Sequence, residues 1–233
     1  MKKCIAVIGK NCSGKETVFR VSKEVIENNG HAVSIVHFSD PLNETLDAVN
    51  QILLTNKKEL AESISFSEFS VKNILKYKFL QKLLGGELEV QLLKTRLNQQ
   101  IISEKLRVVW GQNLFARAIY DRAVGAETDF VFVDGIRRPA DARMLRAIKD
   151  SLLVYVHAPL EKRHIRSCKR NDRAGDAEMS FEEFCKRDQA EPEQLIEEVA
   201  KDADIIIDNS GTEDELKRKV RQILLIGKLG LAV

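Results

Sequence analysis

The stretch from Cys4 to Thr17 constrains this chain more than any other. An apolar run, Cys4-Ile5-Ala6-Val7-Ile8, meets Gly9, four residues intervene, and Gly14-Lys15 follows. A short unbroken apolar run ended by glycine reads as a strand buried on both faces of a parallel sheet. The Gly-x-x-x-x-Gly-Lys spacing is that of the P-loop, whose backbone N–H groups curl around phosphate oxygens while the lysine, here Lys15, reaches the terminal phosphates. Directly afterwards Val18, Val21, Val25 and Ile26 recur at helical spacing, and Asn29-Gly30 stops the helix before a second apolar run, Ala32 to Phe38. The order is strand, loop, helix, strand, and the helix N-terminus adds partial positive charge to the anion site. Gly9, Asn11, Cys12, Ser13, Gly14, Lys15, Glu16 and Thr17 thus form a candidate nucleotide-binding loop. Where the pattern expects Ser or Thr as a Mg²⁺ ligand, the chain has Glu16, with Thr17 one place later.

Three further apolar runs follow. Asp129 to Val133 ends in Asp134-Gly135, Leu152 to Val156 ends in His157-Ala158-Pro159, and Ile205 to Ile207 ends in Asp208-Asn209-Ser210-Gly211. Alternation with helical segments implies a three-layer α/β fold around a five-stranded parallel sheet, with ligands gathered at the carboxyl ends of the strands. Asp134, at such an end, is placed to hold Mg²⁺ or its water opposite the P-loop; the plainer role is a turn-forming acid before glycine. Between the second and third of these strands, residues 42–126 follow helical periodicity through Leu46, Val49, Ile52 and Leu53, and again through Val71, Ile74, Leu75, Leu80, Leu83 and Leu84. This reads as a helical insertion broken at Gly85-Gly86, with a later helix from about Asn113 to about Ala123. An insertion there is the natural place for a second substrate, although much of its apolar stripe is needed for packing.

After the fourth strand come Arg163, Arg166, Arg170 and Arg173, whose spacing puts them near one helical face. Phosphoryl transfer spreads charge over equatorial oxygens, and an arginine-bearing lid, here residues 163–180 with its tip at Asn171 to Asp176, can neutralise that charge and exclude water. A solvated basic helix is the bland alternative. Ser180 with Glu183, and Thr212 with Glu215, form capping boxes that start the last helices.

The 233 residues, 44% hydrophobic, suit a single domain over 1–233 carrying an insertion. A net charge of +2 argues against a chain held on nucleic acid by bulk electrostatics, and Lys72, Lys76, Lys78 and Lys82 read as a solvated face. Cys4, Cys12, Cys168 and Cys185 make no C-x-x-C pair and no zinc spacing with the histidines, which favours free thiols in a reducing, cytoplasmic setting. No apolar stretch reaches membrane-spanning length, and the strand begins too early to leave room for a signal peptide. Cys12 sits where loop amides and Lys15 can lower its thiol pKa, or where a small loop filler suffices.

These features together resemble the P-loop nucleoside and nucleotide kinases, the group that contains dephospho-CoA kinase and the nucleoside monophosphate kinases. The loop Gly-Lys-Asn-Cys-Ser-Gly-Lys-Glu with Phe38-Ser39-Asp40-Pro41-Leu42-Asn43-Glu44 is similar to animal-type phosphomevalonate kinase and phage deoxynucleoside monophosphate kinase, which carry an acid after the P-loop lysine. The second half, from Val133-Asp134-Gly135-Ile136-Arg137 through Arg187-Asp188 and Glu191 to Ala203-Asp204 and Asn209-Ser210-Gly211-Thr212, resembles an archaeal group of dephospho-CoA kinase-like proteins. The resemblance spans nearly everything except the insertion. It implies that Lys15 binds the β- and γ-phosphates, that Glu16 or Thr17 with Asp134 forms the Mg²⁺ site, and that Arg166 and Arg170 are the lid arginines. It further implies that Asn209 and Gly211 lie on the adenine-binding loop and that Arg107, Arg117 and Arg137 are candidates for the acceptor's phosphate, with structural ion pairs as the alternative. Asp40 matches the acid near the acceptor hydroxyl in dephospho-CoA kinases; beginning a turn or capping a helix is its other reading.

The expectation is an ATP- and Mg²⁺-dependent kinase acting on a small phosphorylated metabolite or nucleotide: a nucleoside or deoxynucleoside monophosphate, dephospho-CoA, or after these phosphomevalonate. The sequence leaves the acceptor and the oligomeric state open. The competing class is a nucleotide-binding ATPase or switch whose insertion meets a protein partner, although no guanine-reading Asn-Lys-x-Asp motif is present.

Overall fold

The computed structural model describes residues 2–55, 65–66, 69–70, 103–104, 106–108, 111–170, 177–189 and 191–226. They fall into two units, Met1–His37 with Arg122–Val233, and Phe38–Asp121.

The first unit is built on five parallel strands among the described residues: β1 (Lys3–Ile8), β2 (Val33–His37), β5 (Phe130–Asp134), β6 (Leu152–His157) and β7 (Ile205–Asp208), in the spatial order β2-β5-β1-β6-β7. In order of sequence within this sheet the arrangement is second, third, first, fourth, fifth. β1 is therefore central, and its Cys4-Ile5-Ala6-Val7-Ile8 run is buried on both faces, which is why it reads as continuous rather than alternating. Helix α1 (Lys15–Asn28) presents Val18, Val21 and Ile26 to the sheet, and α8 (Glu213–Ile226) packs beside it through Leu216, Val220 and Leu224. Phe19 meets Phe132 edge-on at 5.5 Å between ring centroids. Each such fully buried aliphatic or aromatic side chain contributes about 1.5–3 kcal/mol of transfer free energy.

Four more helices connect or cover the sheet: α4 (Pro139–Leu145), α5 (Leu160–Arg170), α6 (Phe181–Asp188) and α7 (Glu191–Ala200). Short α4 was not legible from periodicity. Arg138 is extended before it and Pro139 fills its first turn, the arrangement that proline's fixed φ and missing N–H favour. Both expected capping boxes form: Ser180 Oγ accepts from Glu183 N while the Glu183 carboxylate accepts from Ser180 N, and Thr212 and Glu215 exchange the same pair of bonds.

The second unit holds α2 (Asp40–Thr55), a short antiparallel ladder of β3 (Ser65–Phe66) with β4 (Phe69–Ser70), and most of α3 (Leu114–Gly125). The helical reading of the insertion agrees with α2 and α3. The ladder departs from it, because two residues per strand carry no periodicity to read. The expected helices from Val71 to Leu84, the Gly85-Gly86 break, the four lysines of the solvated face and the lid tip at 171–176, with Arg173, lie outside the described residues.

Candidate phosphate-binding site

Parallel register sets the site. Val7 of β1 and His37 of β2 are both level with Asp134 of β5, so the strand ends bring the Asp134 carboxyl beside the loop that leaves β1. Between β1 and α1 the loop turns through backbone conformations that only certain residues adopt easily. Gly14, the residue before α1, has φ 104° and ψ 15°, in the left-handed region, and a Cβ there would run into the amide nitrogen of Asn209. A Cβ on Gly9 would lie 2.5 Å from Ser13 Oγ and 2.6 Å from the Val156 carbonyl. The two glycines that define the motif are thus the two places where backbone must approach its neighbours closely. Cys12 is also left-handed, with φ 59°.

Asn11 through Thr17 line a cavity of about 480 Å³ together with Phe19, Ile35, His37, Asp134, Arg166 and Arg170. The Lys15 ammonium donates to the loop's own carbonyls, Gly9 O at 2.7 Å and Lys10 O at 3.0 Å. Burial pulls its pKa below the ordinary lysine value; the Asp134 and Glu193 carboxylates oppose this and the Arg137 charge adds to it. A polyphosphate bound in the cavity would supply negative charge that favours the protonated amine. The first N–H groups of α1 have no intrahelical carbonyl to meet, which adds donors to the same place.

Asp134 Oδ1 is buried and, among the described residues, has no hydrogen-bond partner, while Oδ2 lies 3.5 Å from His37 Nδ1. An orphaned carboxylate oxygen at the mouth of a phosphate-binding loop fits an oxygen-liganded divalent cation or its water. Glu16 and Thr17 line the same cavity. Asp134 and, from the same cavity, Glu16 or Thr17 are the residues that would hold Mg²⁺.

The arginine series divides. Arg166 and Arg170 line the cavity. Arg166 donates to Asn209 O at 3.0 Å and to Asn209 Oδ1 at 3.3 Å, with Ser13 O at 3.5 Å. Arg163, one turn earlier on α5, turns inward instead and is 4% exposed. It forks onto Asp188 at the end of α6, Nη1 to Oδ1 at 2.5 Å and Nη2 to Oδ2 at 2.9 Å, and lies 5.7 Å over the Phe184 ring. Lys10 of the loop joins the same carboxylate at 3.2 Å and reaches Glu197 at 2.5 Å. Burial alone would raise the Asp188 pKa, but the hydrogen bonds and charges of Arg163 and Lys10 hold it below the ordinary aspartate value.

Asn209, buried at the end of β7, donates its amide to Ser13 O at 2.7 Å. Gly211 lies two residues on, against the Glu215 side chain of the second capping box. Arg137 does not line the cavity; it pairs with buried Glu193 at 2.6 Å. In the second unit, Arg107 is buried, donates to Gln112 O and lies 5.1 Å over the Phe115 ring, while Arg117 is exposed on α3. Asp40 opens α2 in that unit, as an acid in a first helical turn does. Cys12 lines the cavity, whereas burial in β1 pushes the Cys4 thiol up to about 11. Sequence reasoning gave no role to Lys10, Asp188, Glu193 or His37. Only Lys10, inside the motif, carried a local signal; the others lie far from the loop along the chain.

No family model matches the chain. It is similar to a UPF0200 protein of Saccharolobus islandicus, 31% identical over 123 residues that cover 52% of this chain and 64% of that protein. The chain thus spans a little under two thirds of that relative's length. Among solved structures it is similar to the Thermus thermophilus protein TT1252, with 20% identity, a TM-score of 0.48 and 96% of each chain covered. It is also similar to dephospho-CoA kinase from Campylobacter jejuni, with 17% identity, a TM-score of 0.41 and coverage of 95% of this chain and 96% of that one. The strand order and the loop between β1 and α1 make the fold three-layer α/β of the P-loop type. No helix of the described residues is long and apolar enough to cross a membrane.

Proposed function

We propose that the protein is an ATP- and Mg²⁺-dependent phosphotransferase that moves the γ-phosphate of ATP to a nucleotide-like acceptor: a nucleoside or deoxynucleoside monophosphate, or dephospho-CoA. The observation that carries this reading is one cavity lined by the glycine loop, Lys15, Asp134 and two arginines of α5. Bound at Asp134 with Glu16 or Thr17, Mg²⁺ supplies charge neutralisation and orientation of phosphate oxygens.

The chain's own groups act by position and charge. Lys15 exchanges its two loop carbonyls for phosphate oxygens, a charge-assisted contact stronger than the neutral ones it leaves. Arg166 keeps the Asn209 carbonyl as an anchor while its guanidinium faces the cavity, and Arg170 follows one turn later. Both stand where charge spreads during transfer. Asn209 and Gly211 serve the adenine-side loop in this reading, and Arg107, Arg117 and Arg137 are the candidate contacts to the acceptor's phosphate. Asp40 orients or deprotonates an acceptor hydroxyl, a role that a phosphate acceptor does not require.

The test is to incubate the protein with ATP, Mg²⁺ and each acceptor in turn, reading products by mass spectrometry, for wild type and Asp40→Asn. One phosphorylated product supports the reading and names the acceptor. A severe loss of turnover in Asp40→Asn at unchanged ATP affinity favours a hydroxyl acceptor, and little change favours a phosphate acceptor. ADP release without any phosphorylated acceptor favours an ATPase or switch.

A further inference from the structure

The loop is held from outside the cavity as well as from within, and the outer contacts converge on one residue. Asn11 N donates to Glu193 Oε2 at 3.1 Å, and the Asn11 carbonyl faces Arg163 Nη1 at 3.5 Å. The next residue is Cys12, left-handed at φ 59°. A left-handed residue other than glycine is strained and persists only where its surroundings over-determine it. The turn around Cys12 is closed by Ser13 N donating to Lys10 O at 3.2 Å, and the contacts to Asn11 add to that constraint. Glu193 lies in the first turn of α7 with its side chain 3% exposed, and a carboxylate so deeply buried is expensive unless ionised partners surround it. Here one ionised partner and one neutral donor compensate it: Arg137 donates to Oε1 at 2.6 Å and the Asn11 N–H donates to Oε2 at 3.1 Å.

We infer that Glu193 is a positioning residue for the phosphate-binding loop, holding the Asn11 N–H so that Cys12 and the amides after it keep the shape that receives phosphate. The inference rests on the phosphate-site reading above. Glu193 touches no substrate; it acts through Asn11, with Arg137 as the counter-ion that keeps its charge tolerable. Arg163 of α5 faces the carbonyl of the same residue, and Asp188 of α6 holds both Arg163 and the Lys10 ammonium, so three helices after β6 converge on the outer side of the loop.

The experiment measures binding of inorganic tripolyphosphate by calorimetry, in metal-free buffer, to wild type and to Glu193→Gln, Glu193→Met and Glu193→Asp, with folding of each checked by circular dichroism. Tripolyphosphate reports the loop without any base contact. Gln keeps an acceptor at full length for Asn11 N, so its affinity stays within about threefold of wild type. Met fills the space without an acceptor, and Asp keeps the charge but withdraws the oxygen by one methylene; each loses tenfold or more. If Met does not fold, Asp alone decides, because it preserves the ion-pair charge. Wild-type affinity in folded Met or Asp overturns the inference and leaves the phosphate site standing, as does a loss in Gln equal to that in Met, which would assign the effect to charge, since Gln keeps the acceptor and lacks only the charge. Absence of tripolyphosphate binding by wild type overturns the phosphate-site reading and the inference with it.

Discussion

Replacing Arg163 by Met should destabilise the fold far more than removing any other arginine of its series. The reason is the environment of Asp188, which is 12% exposed at the side chain and receives both arms of the Arg163 fork. Removing one member of a buried pair typically costs about 3–5 kcal/mol, because the remaining charge stays desolvated. Lys10 still reaches Asp188 at 3.2 Å, so the lower end, about 3 kcal/mol, applies. For a chain of this size that corresponds to a fall in Tm of roughly 6–12 °C. Arg163→Met combined with Asp188→Leu removes both charges, and most of the loss should return, since replacing a whole buried pair by apolar groups is often close to neutral. Urea denaturation of the two single variants and the double variant gives the coupling directly. A single-variant loss below about 1 kcal/mol, or a double variant whose loss is the sum of the singles, refutes this account of the network.

Gly14→Ala forces Cβ into the left-handed region and against Asn209; a stability loss of about 2–4 kcal/mol and loss of tripolyphosphate binding are expected in urea titration and calorimetry. Asp134→Asn should leave stability within about 1 kcal/mol, because Oδ1 has no described partner to lose, while the dependence of ATP binding on Mg²⁺ collapses. The Asp188 and Glu193 pKa values are held below their ordinary ones, so their stabilisation is full above the unfolded carboxylate range and fades as pH falls through the folded values. Tm measured against pH should therefore hold near neutrality and drop below about pH 4, with a shallower drop in Arg163→Met.

The parts of this molecule legible in the sequence are those whose signal is local. The Cys4 to Ile8 run, the glycine spacing and the two capping boxes each lie within a dozen residues, and the strand, loop and helix they imply are present. The Asp134 position was legible because strand ends in a parallel sheet share one edge. What was not legible depends on long-range approach. Arg163 and Arg166 are alike in sequence, yet one turns into a buried pair and the other lines the cavity, because the facing groups, Asp188 and Asn209, come from α6 and β7. Glu193 is separated from Asn11 by 182 residues and sits in a helix turn that no motif marks. Arg137 read as a candidate phosphate ligand by its type; in the fold it pairs with Glu193, a pairing that charge pattern along the chain does not encode.

The central claim is that the loop around Lys15 delivers a phosphoryl group, and transfer from γ-labelled ATP to the acceptor pool by wild type and Lys15→Ala tests it most directly. The account predicts a labelled acceptor with wild type, and a loss of transfer of at least about a thousandfold with a folded Lys15→Ala protein. Undiminished transfer by the variant, or a wild type that labels no acceptor at all, contradicts it.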